Sequence, residues 1–234
     1  MPKKKGLIKM DENENKTEQF DERDGFKKKT ANVINEAKEQ MKNINIKEEA
    51  QKGKNLFIKL LKQPINTIKE IAQEDENKTF KTAILLVIIW AASELIRQLI
   101  YYISSKYSSF NLLTTLKVTI APILRVIAMT LSMYIFNKNA RKSLSKVLTS
   151  VVIANIPSVI ASLVTYLNYI SSKATSLTSP IRSLLSVITT ALIYVTIKAL
   201  FDKEDDEEAV KAFVKVEAVY YLIAFIISFL GISM

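Results

Sequence analysis

The chain has 234 residues, a formal net charge of +10 at pH 7 and 49% hydrophobic side chains, and it contains neither histidine nor cysteine. These two absences exclude a Ser-His-Asp or Cys-His catalytic site, a conventional zinc site and disulfide bonds. The 4 glycines are spaced for neither a phosphate-binding loop nor a dinucleotide fingerprint, so the sequence predicts no catalytic residue, metal or cofactor and favours a non-enzymatic protein.

The first 80 residues are polar. Residues 1–29 alternate lysine clusters with acidic runs and have almost no apolar content, so we predict a disordered charged tail there. No apolar stretch follows the first lysine cluster, which argues against a cleaved secretory signal. Residues 30–79 are predicted to form a cytoplasmic amphipathic helical region, beginning with a weak helical pattern from Val33 to Ile44.

The strongest amphipathic pattern lies in residues 55–73, directly before the first apolar span, and Pro64 is expected to divide it into two short helices. An apolar stripe that ends at Ala72 runs along this segment, with lysines mostly beside it. Such a segment is typical of a helix that lies on the cytoplasmic membrane surface and contacts anionic lipids. The side chains predicted to contact the membrane surface are Phe57, Lys59, Leu61, Lys62, Ile65, Ile68 and Lys69.

Downstream of residue 80 the chain contains five apolar segments of about 18 to 25 residues, the length that crosses about 30 Å of hydrocarbon. They must be helices, because the backbone has no water to bond in that environment. We therefore predict an all-α fold, in which residues 80–234 form a polytopic bundle of five transmembrane helices behind a polar, partly disordered N-terminal region. The spans are predicted at residues 82–104, 112–136, 146–170, 181–201 and 212–233.

Basic residues are concentrated before the first span and in the connectors after the second and fourth spans. By the positive-inside rule the N-terminus is cytoplasmic, and five crossings place Met234 on the opposite side. The bias toward lysine, asparagine and isoleucine is typical of an AT-rich genome. Acidic residues are interleaved with the lysines and no aromatic stacking surface accompanies them, which argues against nucleic-acid binding.

Charged residues inside the predicted spans are costly at membrane depth and require partners. Counting helical rise places Glu94 and Arg125 each about 18 Å from the cytoplasmic edge, so we predict that they pair. Arg97, three residues after Glu94, either shares the carboxylate or extends outward. The pair is interpreted either as a structural lock between the first two helices or as a polar site for an ion, a proton or a headgroup.

Other residues in the spans carry weaker signals. Asn155 in the third span is interpreted as an interhelical hydrogen bond or as a residue that lines a substrate path. Pro122 and Pro157 lie inside predicted helices and should kink them, whereas Pro180 suits a first helical turn. The acidic run at residues 202–208 is either a solvated turn, the favoured interpretation, or a cation site, although it lacks the glycine of a calcium loop.

Three stretches resemble a known family. FIKLLKQPINTIKEIAQEDENKTFKTAILLVIIWA, SKVLTSVVIANIPSVIASLV and KAFVKVEAVYYLIAFIISFL resemble the first-span region, third helix and last span of the Yip1 domain family, in its prokaryotic form. The resemblance implies a five-span integral membrane protein of a prokaryotic cell membrane, with a cytoplasmic N-terminus. Eukaryotic members contact Rab-type GTPases through an acidic, tyrosine-rich motif, which is missing here, so GTPase binding is not expected. The resemblance transfers no catalytic residues.

Two functional hypotheses follow. In the first, a non-enzymatic integral membrane protein organises membrane or partner proteins, in contact with anionic lipids and with a membrane-protein partner or a second copy of itself. In the second, a small transporter or channel subunit uses Glu94, Arg97, Arg125 and Asn155 as a polar path, although five spans do not divide into an inverted repeat. The hypotheses differ in whether these four residues face one water-accessible cavity or are bonded to each other.

Overall fold

The computed structural model describes residue 35 and residues 45–73, 79–104, 110–136, 143–170, 174–203 and 205–232. The chain divides into two compact units at residue 40, and all the described residues except Asn35 belong to the second. The predicted tail at residues 1–29 and nearly all of the weak helical pattern after it lie outside the described residues.

All regular structure in the described part of the chain is helical, which confirms the all-α fold class. The helices are α1 (Ile46–Lys62), α2 (Pro64–Gln73), α3 (Phe80–Ser104), α4 (Leu112–Phe136), α5 (Leu144–Ala154), α6 (Ile156–Val164), α7 (Leu167–Ile170), α8 (Thr175–Leu200) and α9 (Asp206–Ser228).

Four helical segments are long and apolar enough to cross a membrane: Phe80–Ser104, Leu112–Phe136, Leu144–Tyr169 and Thr175–Leu200. They coincide with the first four predicted spans, and the third joins α5, α6 and most of α7. The start predicted for the fourth span was wrong. Its helix begins at Thr175, so Pro180 lies inside α8 and not in the first turn.

The fifth predicted span, at residues 212–233, falls largely within α9. This helix is not one of the four apolar segments, because Lys211, Lys215 and Glu217 occupy its first half and only the part from Ala218 onward is continuously free of charge. The structure therefore supports four membrane-capable helices among the described residues.

The acidic run before α9 forms a helix cap and ion pairs. The side chain of Asp205 accepts a hydrogen bond from the Glu207 backbone N–H at 3.1 Å. Asp206 pairs with Lys198, whose ammonium holds the pKa of that carboxyl below its usual value. Within the described residues, no cluster of three or more histidine, cysteine, aspartate or glutamate side chains is arranged to hold a metal ion.

The third span lies at the centre of the bundle and is the most buried of the four. Helix α5 packs against α3, α4 and α8, while α6 packs chiefly against α8, and α9 lies against α4 and α8. Branched and sulfur-containing side chains fill the core without exposure to solvent. Its largest fully buried apolar members are Ile68, Met133, Val147, Val151, Ile153, Ile197, Leu200 and Val216.

Helices α1 and α2 form a hairpin that breaks at Pro64, the division expected from the sequence. Helix α2 packs against α5 and α8 and buries Ile68 completely, together with Ala72. Ile68 is therefore covered by protein and not by lipid, contrary to its predicted place on the membrane surface. The reason is that part of the apolar stripe closes one end of the bundle, and only Leu61 and Ile65 of the stripe are largely exposed.

A buried carboxylate fastens α1 to the first spanning helix. The Glu49 side chain, 5% exposed, accepts hydrogen bonds from the Thr82 hydroxyl at 2.6 Å and from the Lys52 ammonium at 2.9 Å. Burial alone would raise the pKa of Glu49, but the bonds from Lys52 and Thr82 outweigh it and hold the pKa below the ordinary value of 4.5. The carboxylate is thus stabilised in its charged form.

Replacing Glu49 with alanine should lower the free energy of unfolding by about 1–3 kcal/mol, because the buried Thr82 hydroxyl then loses its acceptor. The measurement is unfolding of the purified protein in detergent, followed by helical circular dichroism. A carboxyl with a lowered folded-state pKa stabilises the fold above its unfolded pKa and loses this effect as the pH falls through the folded-state pKa. The difference between wild type and Glu49→Ala should therefore shrink below about pH 4.5.

Glu48 provides the matched control, since it also contacts Lys52, at 2.8 Å, but its side chain is 58% exposed. Glu48→Ala should change stability by less than about 1 kcal/mol, the usual range of an exposed ion pair. Equal effects of the two substitutions would contradict the proposed role of Glu49.

Candidate functional site

A cavity of about 680 Å³ lies within the spanning helices, in the half of the bundle where α3 ends and α8 begins. Its walls come from α3, α4, α6 and α8, together with Thr165 just after α6. Three arginines, one glutamate and several hydroxyl side chains face this space, together with a smaller apolar wall. The lining residues are Trp90, Glu94, Arg97, Val118, Ala121, Pro122, Arg125, Ser158, Ala161, Ser162, Thr165, Ser179, Arg182, Ser183 and Ser186.

The charges of the lining do not cancel. Arg97, Arg125 and Arg182 contribute three positive charges and Glu94 contributes one negative charge, so the cavity carries a net charge of +2. The arginines come from three different helices, α3, α4 and α8. The walls therefore direct positive charge toward one space from several sides.

The carboxylate of Glu94 pairs with Arg97 and not with Arg125, so the predicted pair was wrong. Arg97 Nε donates to Glu94 Oε2 at 2.8 Å, and one terminal nitrogen of the same guanidinium lies 2.7 Å from that oxygen. Residues three apart in a helix lie on the same side of it, so the nearer arginine reaches the carboxylate first. Arg97 also faces Tyr169.

The other oxygen of Glu94 connects α3 to α6. Ser162 donates its hydroxyl to Glu94 Oε1, and the indole N–H of Trp90 donates to the Ser162 oxygen at 3.2 Å. One turn further, the Tyr166 hydroxyl donates to the backbone carbonyl of Ser93. These bonds fix the rotation of α3 relative to the third span.

Arg125 takes a different partner at the same depth. Its guanidinium carbon lies 5.9 Å from the centre of the Trp90 ring, within the range of a cation–π contact, and it faces the Tyr220 hydroxyl of α9. The count of helical rise placed Glu94 and Arg125 at one level, and both do line the same cavity.

Asn155 and the two kink-forming prolines occupy distinct positions. Asn155 is buried between α5 and α6, where its side-chain amide donates to the Val151 carbonyl at 2.8 Å, and it lies outside the cavity lining. Its bond is thus within its own span. Pro157 follows in the first turn of α6, so the predicted kink is a break between two helices. Pro122 lies inside α4, lines the cavity, and cannot donate to the Val118 carbonyl.

Several lining residues were missed by the sequence reasoning. Arg182 was not among the residues predicted for the site, and the hydroxyl side chains were not considered. A signal was present: Ser179, Arg182, Ser183 and Ser186 are spaced at three- and four-residue intervals, which places them on one face of α8. Ser158, Ser162 and Thr165 repeat the pattern in the third span.

A second, apolar space of about 230 Å³ lies on the other side of the contact between α3 and α6. It is bounded by α1, with Phe57 and Lys54 at its edge, and by Leu86, Ile89 and Leu163. Because Ile89 and Leu163 in its wall are partly exposed, this groove opens toward the outside of the bundle.

Comparison of the chain with protein-family models, with curated proteins and with solved structures gives no match.

Replacing Glu94 and Arg97 with glutamine, singly and together, should reveal their pairing. Each single change leaves a charge at membrane depth without its partner, and the double change removes both unpaired charges. The two substitutions should therefore be coupled by roughly 0.5–3 kcal/mol when stability is measured by thermal unfolding in detergent.

The same cycle with Glu94→Gln and Arg125→Gln is the comparison. Because Arg125 contacts Trp90 instead of the carboxylate, its coupling to Glu94 should be the weaker of the two. Stronger coupling of Glu94 to Arg125 than to Arg97 would refute the observed pairing.

Proposed function

We propose that this chain is a non-enzymatic integral membrane protein that binds an anionic group inside its helix bundle and thereby organises membrane components or partner proteins. The observation that carries the proposal is the cavity in which Arg97, Arg125 and Arg182 face a single carboxylate, that of Glu94. The cavity is lined by helices that are long and apolar enough to cross a membrane.

The physical argument concerns uncompensated charge. A guanidinium in the membrane interior costs several kcal/mol unless it is paired or hydrated. Glu94 is already bonded to Arg97, and among the described residues no carboxylate forms an ion pair with Arg125 or Arg182. An anion in the cavity would supply the missing counter-charge. This favours ligand binding over a purely structural lock.

The second candidate is a small transporter or channel subunit that moves an anionic solute. The observation that favours it is the length of the polar lining, which extends along α8 from Ser179 to Ser186 and reaches Arg125 and Pro122 in the middle of α4. Asn155 belongs to no such path, because it lies outside the lining. Solute movement through liposomes that contain the purified protein would favour this second function over the first.

For the topology we propose five crossings, with α9 as the fifth, a cytoplasmic N-terminus and Met234 on the opposite side of a prokaryotic cell membrane. The distribution of basic residues supports this orientation. The apolar second half of α9 and its packing against α4 and α8 support its insertion beside the other spans. The Yip1-like character of the chain and its association with another copy or another membrane protein remain predictions.

Helix α1 is proposed to lie on the anionic cytoplasmic leaflet. Its buried side faces the bundle through Gly53 and Leu60. An adjacent edge is apolar and exposed, with Ile46 and Leu61 each about two-thirds exposed, and Asn55 lies on the opposite, polar side. Such a division between lipid-facing and water-facing edges is typical of an interfacial helix. Lys62 and Lys69 are exposed and add attraction to anionic lipids, whereas the exposed Lys59, also predicted for this surface, is paired with Glu70.

The cavity can be tested by cysteine labelling, because the natural chain contains no cysteine. Ser183→Cys and Ser186→Cys should react with a membrane-impermeant thiol reagent, since both side chains line the polar cavity. Leu184→Cys and Val187→Cys are matched controls on the same helix. Their side chains are also exposed, at 61% and 66%, but they should face lipid and remain unreactive.

The side from which the reagent acts tests the orientation. Added outside intact cells, it should label Ser183→Cys and leave Asp205→Cys, in the connector between α8 and α9, unlabelled until the membrane is opened. Equal labelling of the serine and the leucine positions would contradict a water-accessible cavity, and the reverse sidedness would contradict a cytoplasmic N-terminus.

The position of α1 can be tested with a fluorophore on single cysteines in nanodiscs. A probe at Leu61→Cys should be quenched by brominated phospholipid, because the side chain lies on the apolar exposed edge. Quenching should increase with the fraction of anionic lipid and decrease at high salt, since charge screening weakens the attraction of the lysines.

Asn55→Cys is the control, because Asn55 is exposed on the polar side of the same helix. Its probe should be quenched by aqueous iodide and spared by brominated lipid. Identical quenching at the two positions would argue against the interfacial placement of α1.

A further inference from the structure

The chemistry of the cavity identifies the class of anion it fits. Its net charge of +2 comes from three arginines, only one of which is neutralised by a carboxylate. In a medium of low effective dielectric, a ligand that leaves one of these charges uncompensated is bound less favourably than a ligand that balances both.

We infer that the cavity holds a phosphomonoester dianion, the terminal phosphate of a lipid headgroup or of a soluble phosphate. This inference rests on the proposed function and specifies its ligand. A phosphomonoester carries a charge of about −1.5 to −2 at pH 7 and presents three acceptor oxygens. A phosphodiester or a carboxylate carries a single negative charge, and a cation is repelled by the arginines.

The donors are arranged to reach such a ligand from three helices. Arg97 bonds Glu94 through Nε and one terminal nitrogen and also faces Tyr169. A guanidinium carries five N–H groups, so further donors of Arg97 remain for a ligand. Arg125 is held by the Trp90 ring, and a guanidinium over an aromatic face retains the N–H groups at its edge for hydrogen bonding. Arg182, on α8, is the third arginine that lines the cavity.

Hydroxyl groups and volume support the same ligand class. Ser183 and Ser186 face the cavity one and four residues after Arg182, where hydroxyls can donate to phosphate oxygens. The volume of about 680 Å³ lies within the range of small-molecule sites, roughly 300–1,000 Å³. The apolar wall that includes Val118 and Ala121 has space beside the phosphate for the rest of a ligand.

The test measures lipid binding by the full-length protein in mild detergent, with phosphatidate as the phosphomonoester and phosphatidylglycerol as the phosphodiester control. Phosphatidate should bind at least about tenfold more tightly. Arg125→Gln and Arg182→Gln should each weaken phosphatidate binding by about tenfold or more, whereas Lys215→Gln, which removes an exposed lysine of α9 outside the cavity, should leave it unchanged.

Arg182→Lys keeps the charge but loses the planar fork, so it should lower phosphatidate affinity less than Arg182→Gln. This variant distinguishes loss of a ligand contact from loss of folding, which helical circular dichroism also checks. Competition by inorganic phosphate identifies the source. Displacement of phosphatidate by millimolar phosphate supports a soluble phosphate as the ligand, and failure to displace it supports a lipid headgroup.

Three results would overturn the inference. Equal affinity for phosphatidate and phosphatidylglycerol rejects the phosphomonoester and leaves anion binding in place. Unchanged phosphatidate binding in Arg125→Gln and Arg182→Gln rejects the cavity as the place of binding. If neither lipid binds and inorganic phosphate does not bind either, this ligand class is rejected. The proposed function is rejected as well if, in addition, Ser183→Cys does not react with the impermeant thiol reagent.

Discussion

The bonds around the Glu94 carboxylate determine how the polar half of the bundle is organised. One oxygen holds Arg97 on the same helix, and the other accepts the hydroxyl of Ser162 from α6. Because Ser162 also accepts the indole N–H of Trp90, the ring is fixed at the cavity wall, where it supports Arg125. Removing the carboxylate would disturb a contact between two spans and the orientation of two arginines at once.

The sequence was sufficient for the all-α class and for the first four spans. Length and hydropathy located the first four spans, because an uninterrupted apolar stretch of this kind can satisfy its backbone only as a helix. The start of α8 was misjudged because Pro180 suggested a first turn. The helix begins earlier, at Thr175, and the Thr178 hydroxyl in its first turns donates to Asn168 at 2.7 Å. Such a tertiary contact cannot be inferred from local composition.

The site was predictable only in part, for two physical reasons. Helical rise gives the depth of a side chain but not the direction in which its helix is rotated, so Glu94 and Arg125 were placed at one level and then paired incorrectly. An amphipathic stripe likewise shows that a helix side is covered, without showing what covers it. Ile68 is covered by α5 and α8, whereas Leu61 on the same stripe is open.

The pairing of Glu94 with Arg97 has a consequence for biogenesis. Both residues belong to α3, so their charges neutralise each other as soon as this helix has formed, before any other span is present. The first span can therefore leave the insertion machinery and enter the bilayer alone. Arg125 and Arg182 have no such partner within their own helices among the described residues, so α4 and α8 depend on neighbouring helices to shelter their charges during assembly.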